Sequence, residues 1–152
     1  MKKLQFKTDI DAPAAKVYNT MLGLDNKTTY QTWTAEFNPT STYEGSWEKG
    51  SKILFIGTDE NGEKGGMVCE IAENIPNTFV SIRSCGVLKG DTEITTGEDA
   101  EKWAGGLENY TLTENNGTTT IVVDVDMIED YVDYFNETWP KALGKLKSML
   151  ES

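Results

Sequence analysis

The sequence predicts an α+β fold in which a long C-terminal helix lies across a curved antiparallel sheet and leaves an apolar cavity between them. Three patterns support this fold class. Apolar residues recur at helical spacing through residues 129–152, seven earlier segments have the character of strands, and tight-turn residues separate several of these segments. A length of 152 residues is typical of one domain, so we expect a single domain over residues 1–152.

The first strand is predicted at residues 3–11, where apolar and polar side chains alternate. Two short helices should follow it. We expect Asp11 to cap the first helix and Pro13 to occupy its first turn, since proline has no N–H to leave unpaired there. Gly23 should end that helix, and residues 28–34 form the second one.

Six more strands are predicted after the two helices, and because they are consecutive they should form an antiparallel meander. They cover residues 40–47, 51–58, 66–73, 78–87, 106–114 and 118–126. With the helix that covers it, the sheet of about six to seven strands forms two layers around one apolar face.

Two hairpin registers can be proposed from the turns. The turn Asn115-Asn116-Gly117 places Leu112 opposite Ile121 and Tyr110 opposite Val123, which leaves one face mostly apolar. A turn centred near residues 75–76 would place Ile71 opposite Val80, again with the apolar residues on one face.

Residues 88–104 break the strand pattern, and they are acidic and rich in threonine. Residues 97–103 could form one helical turn. A connection of this length is often functional, so it is either a lid or rim of the pocket, or a flexible hairpin without a role.

The last element is a helix with one anomaly. Its apolar stripe includes Phe135, Trp139, Leu143 and Leu146. Pro140 lies inside the stripe and should kink the helix or mark the start of its straight part, because it cannot donate a backbone hydrogen bond.

Composition excludes several classes of function. A formal net charge of −11 would repel nucleic acid and anionic membrane surfaces, so neither is an expected partner. No segment has the length and apolar character of a signal peptide or a membrane span, so we expect a cytoplasmic protein. The chain has no histidine, which removes histidine-based triads and histidine-ligated zinc. We therefore expect no metal site and no cofactor, and a binding protein rather than an enzyme.

Four side chains deserve a chemical assessment. Glu108 shares a strand face with Tyr110 and could be a cavity acid or base, but a position near solvent at the strand end is the preferred interpretation. Arg83, the only arginine, should point to the outer face of the sheet. Cys69 and Cys85 have no histidine to activate them and are expected to be small buried hydrophobes.

Five stretches, in this order and spacing, resemble a known family. They occur at residues 11–18, 30–33, 43–52, 108–112 and 139–143, and they read DAPAAKVY, YQTW, YEGSWEKGSK, ENYTL and WPKAL. The chain resembles the START-like, birch-pollen-allergen-like (SRPBCC) superfamily, and within it the subfamily named after the C-terminal domain of the heat-shock-protein-90 ATPase activator. The resemblance spans nearly the whole chain.

This resemblance implies a helix-grip fold with a cavity that holds a lipid, polyketide, steroid or other apolar molecule. The predicted function is therefore binding of a small hydrophobic ligand, as a carrier or sensor. The predicted ligand-contacting residues are aromatic, and no catalytic residue is assigned; they are Trp33, Phe55, Trp103, Tyr110, Tyr131, Phe135 and Trp139. Two alternatives stay open. One is a polyketide-cyclase-type enzyme that uses a cavity carboxylate, and the other is a co-chaperone-like module whose partner is a chaperone.

Overall fold

A computed structural model of the protein describes residues 1–151. In this part of the chain, eight antiparallel strands form one open sheet in the order β1-β8-β7-β5-β4-β3-β2, with β6 paired to β5 outside this path. The strands are β1 (Lys2–Ile10), β2 (Thr42–Gly45), β3 (Lys52–Thr58), β4 (Lys64–Ile75), β5 (Phe79–Lys89), β6 (Thr92–Ile94), β7 (Leu107–Asn115) and β8 (Thr118–Met127). The α+β class with its curved meander is confirmed. The sequence missed β6, which is only three residues long.

Within residues 1–151, four α-helices accompany the sheet. They are α1 (Ala14–Leu22), α2 (Lys27–Thr34), α3 (Glu98–Trp103) and α4 (Val132–Glu151), and a single 3₁₀ turn at Glu129–Tyr131 precedes α4. The two short helices after the first strand and the long C-terminal helix are confirmed. The α4 helix continues through Pro140, so the proline does not end it.

The start of α1 differs from the prediction that Asp11 caps it. Pro13 occupies the N-cap position, and no side chain at that position makes a capping hydrogen bond. The backbone N–H of Ala14 instead donates to Oε1 of Glu114 on β7, at 2.6 Å. A carboxylate from a distant strand therefore satisfies one of the exposed donors of the first helical turn, which sequence-local reasoning could not show.

One predicted register is confirmed and one is wrong. In the β7–β8 pair, Leu112 lies opposite Ile121 and Tyr110 opposite Val123, as expected. In the β4–β5 pair, Ile71 lies opposite Ile82 and not opposite Val80. The loop between these strands is centred on Asn77, where φ is +65°, and a register shift follows Ile71, so the turn lies further along the chain than expected.

The core lies between the inner face of the sheet and helices α1, α2 and α4. From Thr138 onward α4 is well packed, and Trp139, Leu143, Leu146 and Leu150 are all buried. The first six residues of the helix, 132–137, include no buried residue. Because α4 packs chiefly on β1 and α2, its start leaves a space above β3, β4 and β5.

Candidate functional site

The space beneath the start of α4 is a cavity of about 920 Å³ that opens to solvent. Its walls come from α2, the strands β3, β4, β5 and β7, and the start of α4. Ligand sites in proteins usually measure about 300–1,000 Å³, so this cavity is large enough for a small organic molecule.

All seven aromatic residues predicted from the sequence lie on the wall of this cavity: Trp33, Phe55, Trp103, Tyr110, Tyr131, Phe135 and Trp139. Three of them are almost fully buried, with exposed fractions of 1% for Trp33, 2% for Trp139 and 3% for Tyr110. Tyr131 is 45% exposed and belongs to the opening. Their contact with a ligand stays a prediction.

The buried aromatic rings form one packed group around Trp139. The centroid of its ring lies 5.8 Å from that of Trp33, 6.2 Å from that of Tyr110 and 5.0 Å from that of Phe37. Neighbouring rings at such distances hold each other in place. This part of the wall is therefore closely packed.

The opening is formed partly by the acidic connection between β5 and β7. Trp103, at the end of α3, lies with its ring centroid 5.4 Å from that of Tyr131. The connection holds the β5–β6 hairpin and α3, and residues from it line the cavity. The expected helical turn at residues 97–103 is confirmed by α3, and the segment lies at the rim of the pocket.

Sequence reasoning missed several wall residues, above all Tyr30 and Phe37. Tyr30 precedes Trp33 by three positions on α2, and this helical spacing places both on one face, so the signal was available. Phe37 lies after the end of α2, where no periodic pattern covers it.

The sequence favours a position near solvent for Glu108, and the structure shows that this interpretation is wrong. Its carboxyl lines the cavity, and Oε2 accepts a hydrogen bond from the Tyr110 hydroxyl. The side chain keeps some accessible surface because it faces the cavity. Burial raises the pKa of the Glu108 carboxyl above its ordinary value, and the hydrogen bond from Tyr110 opposes part of this rise.

Other titratable groups in the wall respond to the same environment. Burial, and then the Glu108 charge, hold the pKa of Tyr110 well above its ordinary value. Burial raises the pKa of the Cys69 thiol to about 12, with the Glu108 charge adding to the effect. Cys69 is therefore a buried thiol and not an activated nucleophile, as predicted, while Cys85 is only half-buried.

Two buried indole groups in the wall differ in their hydrogen bonding. The Trp33 Nε1 donates to the backbone carbonyl of Met21, at 2.9 Å. The Trp139 Nε1 is buried, and among residues 1–151 nothing accepts its hydrogen bond. An unpaired buried donor is uncommon in proteins. This nitrogen has almost no accessible surface, so a ligand in the cavity would not reach it without movement of the wall.

Arg83 lies on the outer face of the sheet, where its Nη2 pairs with Oε1 of Glu70 at 2.6 Å. Its predicted position is confirmed. Within the described part of the chain, no group of three or more His, Cys, Asp or Glu side chains could hold a metal ion. No helix among these residues has the length and apolar character needed to cross a membrane.

Solved structures with the same fold cover nearly the whole chain. The solution structure of the Aha1 dimer from Colwellia psychrerythraea matches with a TM-score of 0.70 at 22% identity, covering 99% of this chain and 97% of that chain. Protein NE0264 from Nitrosomonas europaea matches with a TM-score of 0.71 at 15% identity, with coverage of 97% and 93%. DynU16, a protein in the dynemicin biosynthetic locus, matches with a TM-score of 0.66 at 15% identity, with coverage of 100% and 48%.

These likenesses confirm the START-like, helix-grip fold that the sequence resemblance implied. At such identities they speak to the fold alone, because one fold supports many functions. No protein-family model matches the sequence. No curated protein matches it either.

Proposed function

We propose that this protein binds a small, largely apolar molecule in the cavity between the sheet and α4, as a carrier or sensor. The observation that carries the proposal is the cavity of about 920 Å³ with its mainly apolar wall, to which ten aromatic residues contribute. Such walls suit apolar ligands because each aromatic ring offers a large contact area with few rotatable bonds.

The packing around the cavity favours a ligand-binding site over a defect in the packing of the core. The ring of Trp139 packs against those of Trp33 and Tyr110 on its buried side, and α4 is buried against the core from Thr138 onward. A wall that is ordered in advance loses little conformational entropy when a ligand enters. The wall is therefore suited to a ligand of defined shape.

Native mass spectrometry of protein purified without delipidation tests the proposal. We expect a retained small molecule, or a complex formed with an added apolar probe. Ser84 lines the cavity, so Ser84→Phe should fill part of the space and reduce the bound fraction. Thr113→Phe adds a ring on the exposed side of β7 and serves as the control. Equal binding by both variants would contradict a ligand site in this cavity.

An enzyme of the polyketide-cyclase type is the second candidate, and the Glu108–Tyr110 pair favours it. A cavity carboxyl with a raised pKa is the kind of group that transfers protons near neutral pH. Likeness to DynU16, a protein in a biosynthetic locus, agrees with this candidate. Here Glu108→Gln should abolish turnover of a bound polyketide while leaving its binding measurable, whereas unchanged turnover would eliminate Glu108.

A co-chaperone-like module is the third candidate, and likeness to the Aha1 dimer favours it. It requires a surface rather than a cavity. Capture of a heat-shock-protein-90-type chaperone by the wild type and equally by Ser84→Phe would support it. Loss of capture in Ser84→Phe alone would link the interaction to the cavity instead.

A further inference from the structure

The carboxyl of Glu108 lies among apolar residues on the inner face of the sheet. In the register of β5, β7 and β8 it is flanked by Ile82 and Val125, which are both buried and line the cavity. The hydroxyl of Tyr110 donates to its Oε2. Among residues 1–151, no lysine or arginine forms an ion pair with this carboxyl. Glu108 is therefore an acid in an apolar wall without a cationic partner.

The second carboxyl oxygen of Glu108, Oε1, can be reached from the cavity. Among residues 1–151, the side-chain oxygens and nitrogens that have neither a hydrogen-bond partner nor accessible surface belong to Trp47, Asn109 and Trp139. Oε1 of Glu108 accepts no hydrogen bond in this part of the chain and is not one of these atoms, so it keeps accessible surface. Since the side chain lines the cavity, a ligand there can donate to Oε1.

The cationic side chains in the cavity wall already have acidic partners. Within the described residues they are Lys64 and Lys89. The Nζ of Lys64 lies 3.0 Å from Oδ1 of Asp91, and the Nζ of Lys89 lies 3.1 Å from Oδ2 of Asp99. A ligand carboxylate placed near Glu108 would be desolvated beside a like charge, which is strongly unfavourable.

The opening of the cavity is also acidic. Residues 88–90 and Trp103 line the cavity, and they belong to the connection between β5 and β7. Acids outnumber lysines in this connection: Asp91, Glu93, Glu98, Asp99 and Glu101 stand against Lys89 and Lys102. With a formal net charge of −11 on the whole chain, the field at the opening attracts cations and repels anions.

Aromatic rings surround the space near Glu108. Burial, and then the Glu108 charge, raise the pKa of Tyr30, which places this tyrosine close to the carboxyl. The centroid of the Tyr30 ring lies 5.9 Å from that of Trp33 and 6.3 Å from that of Phe55. An ammonium group that reaches Glu108 would therefore also approach aromatic rings, which attract desolvated cations.

We infer, on the basis of the proposed binding function, that the ligand is an apolar amine in its protonated form, whose ammonium group pairs with Glu108 while its apolar body occupies the aromatic part of the wall. Folding has already placed the carboxyl in the cavity, so binding has to desolvate only the ammonium. The ammonium both donates to Oε1 and neutralises the charge, whereas a hydroxyl can only donate. This assignment is narrower than apolar binding, because it ranks molecules that share one body and differ in one group.

A matched set of probes tests the assignment by isothermal titration calorimetry at about pH 7, where an alkylamine is protonated. All four probes share a biphenyl body, and the para substituent is methyl, hydroxymethyl, aminomethyl or carboxylate. We expect the aminomethyl probe to bind on the order of tenfold more tightly than the hydroxymethyl probe, because a charge-assisted hydrogen bond is stronger than one with a neutral donor. The carboxylate probe should bind more weakly than the methyl probe.

Two variants of equal charge change locate the preference. Glu108→Gln keeps the shape of the side chain and removes its charge, so it should abolish most of the advantage of the aminomethyl probe. Glu60→Gln is the matched control, because Glu60 is exposed and lies outside the cavity wall. It should keep the advantage. Circular dichroism and thermal melts check that both variants are folded.

Salt separates the pair with Glu108 from the field of the whole chain. At about 1 M salt the Debye length is about 3 Å, so exposed acids are screened, while a pair inside the cavity is screened much less. The wild type should therefore still prefer the aminomethyl probe over the hydroxymethyl probe. If Glu108→Gln did not fold, this measurement would decide the assignment.

The outcomes distinguish this inference from the proposed function. Equal affinity for the aminomethyl and hydroxymethyl probes, or tightest binding of the carboxylate, would overturn the amine assignment and leave apolar binding intact. Loss of the preference at high salt, or an equal loss in Glu60→Gln and Glu108→Gln, would overturn the role of Glu108. Failure of every probe to bind, the methyl probe included, would overturn both proposals.

Discussion

The hydroxyl of Tyr110 donates a hydrogen bond to the carboxyl of Glu108, two residues earlier on the same face of β7, inside the cavity. Alternation along a strand brings residues i and i+2 to one face, and here that face is covered by α4. Burial raises the pKa of Glu108, and the hydrogen bond limits the rise. The stability of the fold should therefore depend on pH through this pair.

Glu108→Gln should remove a pH dependence that the wild type has. Above about pH 4.3, the ordinary pKa of glutamate, the unfolded chain releases the Glu108 proton while the folded chain still holds it. The free energy of unfolding of the wild type relative to Glu108→Gln should therefore fall as pH rises from there to the raised pKa, and then level off. Urea denaturation at a series of pH values measures it.

Glu70→Gln is the matched control for this series, because it alters a carboxylate on the outer face of β4 that pairs with Arg83. It should not reproduce the fall. If the difference in free energy of unfolding between the wild type and Glu108→Gln does not change with pH, burial does not raise the pKa of Glu108.

Tyr110→Phe should destabilise the protein by about 1–3 kcal/mol near neutral pH, since the Glu108 carboxylate would lose its buried donor. In the wild type, this hydrogen bond limits the rise in the pKa of Glu108. Without it the pKa should rise further, so the free energy of unfolding should keep falling up to a higher pH. Denaturation curves in the Glu108→Leu background supply the control, because no carboxylate is then left unpaired. An equal cost in both backgrounds would argue against the pair.

Trp33→Phe should cost about 1–3 kcal/mol more than Trp139→Phe. Both rings are almost fully buried, so the loss of apolar contact is similar. The Trp33 indole donates to the Met21 carbonyl, which would lose its donor. Among residues 1–151, the Trp139 indole N–H has no acceptor to lose. Guanidinium unfolding of the two variants side by side checks the difference, and a larger cost at Trp139 would be inconsistent with this hydrogen bonding.

Glu114→Ala should destabilise the protein by about 1 kcal/mol, the usual effect of losing a helix cap. Its carboxylate accepts from the Ala14 N–H at the start of α1, across 2.6 Å. Glu60→Ala, at an exposed position, is the control and should change stability by less than about 0.5 kcal/mol. Thermal unfolding of both variants distinguishes them. A similar cost at the two sites would show that Glu114 does not cap α1.

Gly66→Ala should cost at least about 2 kcal/mol more than Gly62→Ala. A Cβ at position 66 would lie 1.8 Å from the Phe55 carbonyl oxygen, and φ there is +150°. Gly62 also has a positive φ, of +78°, but a Cβ there meets nothing within 4 Å. Chemical denaturation compares the two alanine variants directly. Equal costs would mean that the β3–β4 pair adapts freely beside the cavity.

The local sequence pattern was sufficient to predict the β7–β8 hairpin, whose pairing depends on one short segment. The alternation in β7 and β8, with the Asn-Asn-Gly turn between them, gave the right register because the turn and both apolar faces agree. The β4–β5 register failed because a loop centred on Asn77 and a register shift after Ile71 moved the pairing, and neither leaves a periodic signal.

Seven aromatic residues of the cavity wall could be chosen from the sequence, because large apolar side chains on covered faces tend to point inward. Tyr30 and Phe37 were missed. The environment of Glu108 could not be predicted in this way. Whether a residue near the start of β7 meets solvent or the cavity depends on where α4 begins to pack, which is settled by contacts between distant segments.

The sequence by itself determined the order of the elements, the apolar faces of the strands and of α4, and the aromatic character of the space between them. These depend on spacing along the chain, which periodicity reports directly. The tertiary structure decided that the start of α4 leaves that space open and that Glu114 caps α1. It also decided that Glu108 meets Tyr110, whose ring packs on that of Trp139. Each of these requires residues far apart in the chain to meet, and burial then sets their hydrogen bonding and their charge.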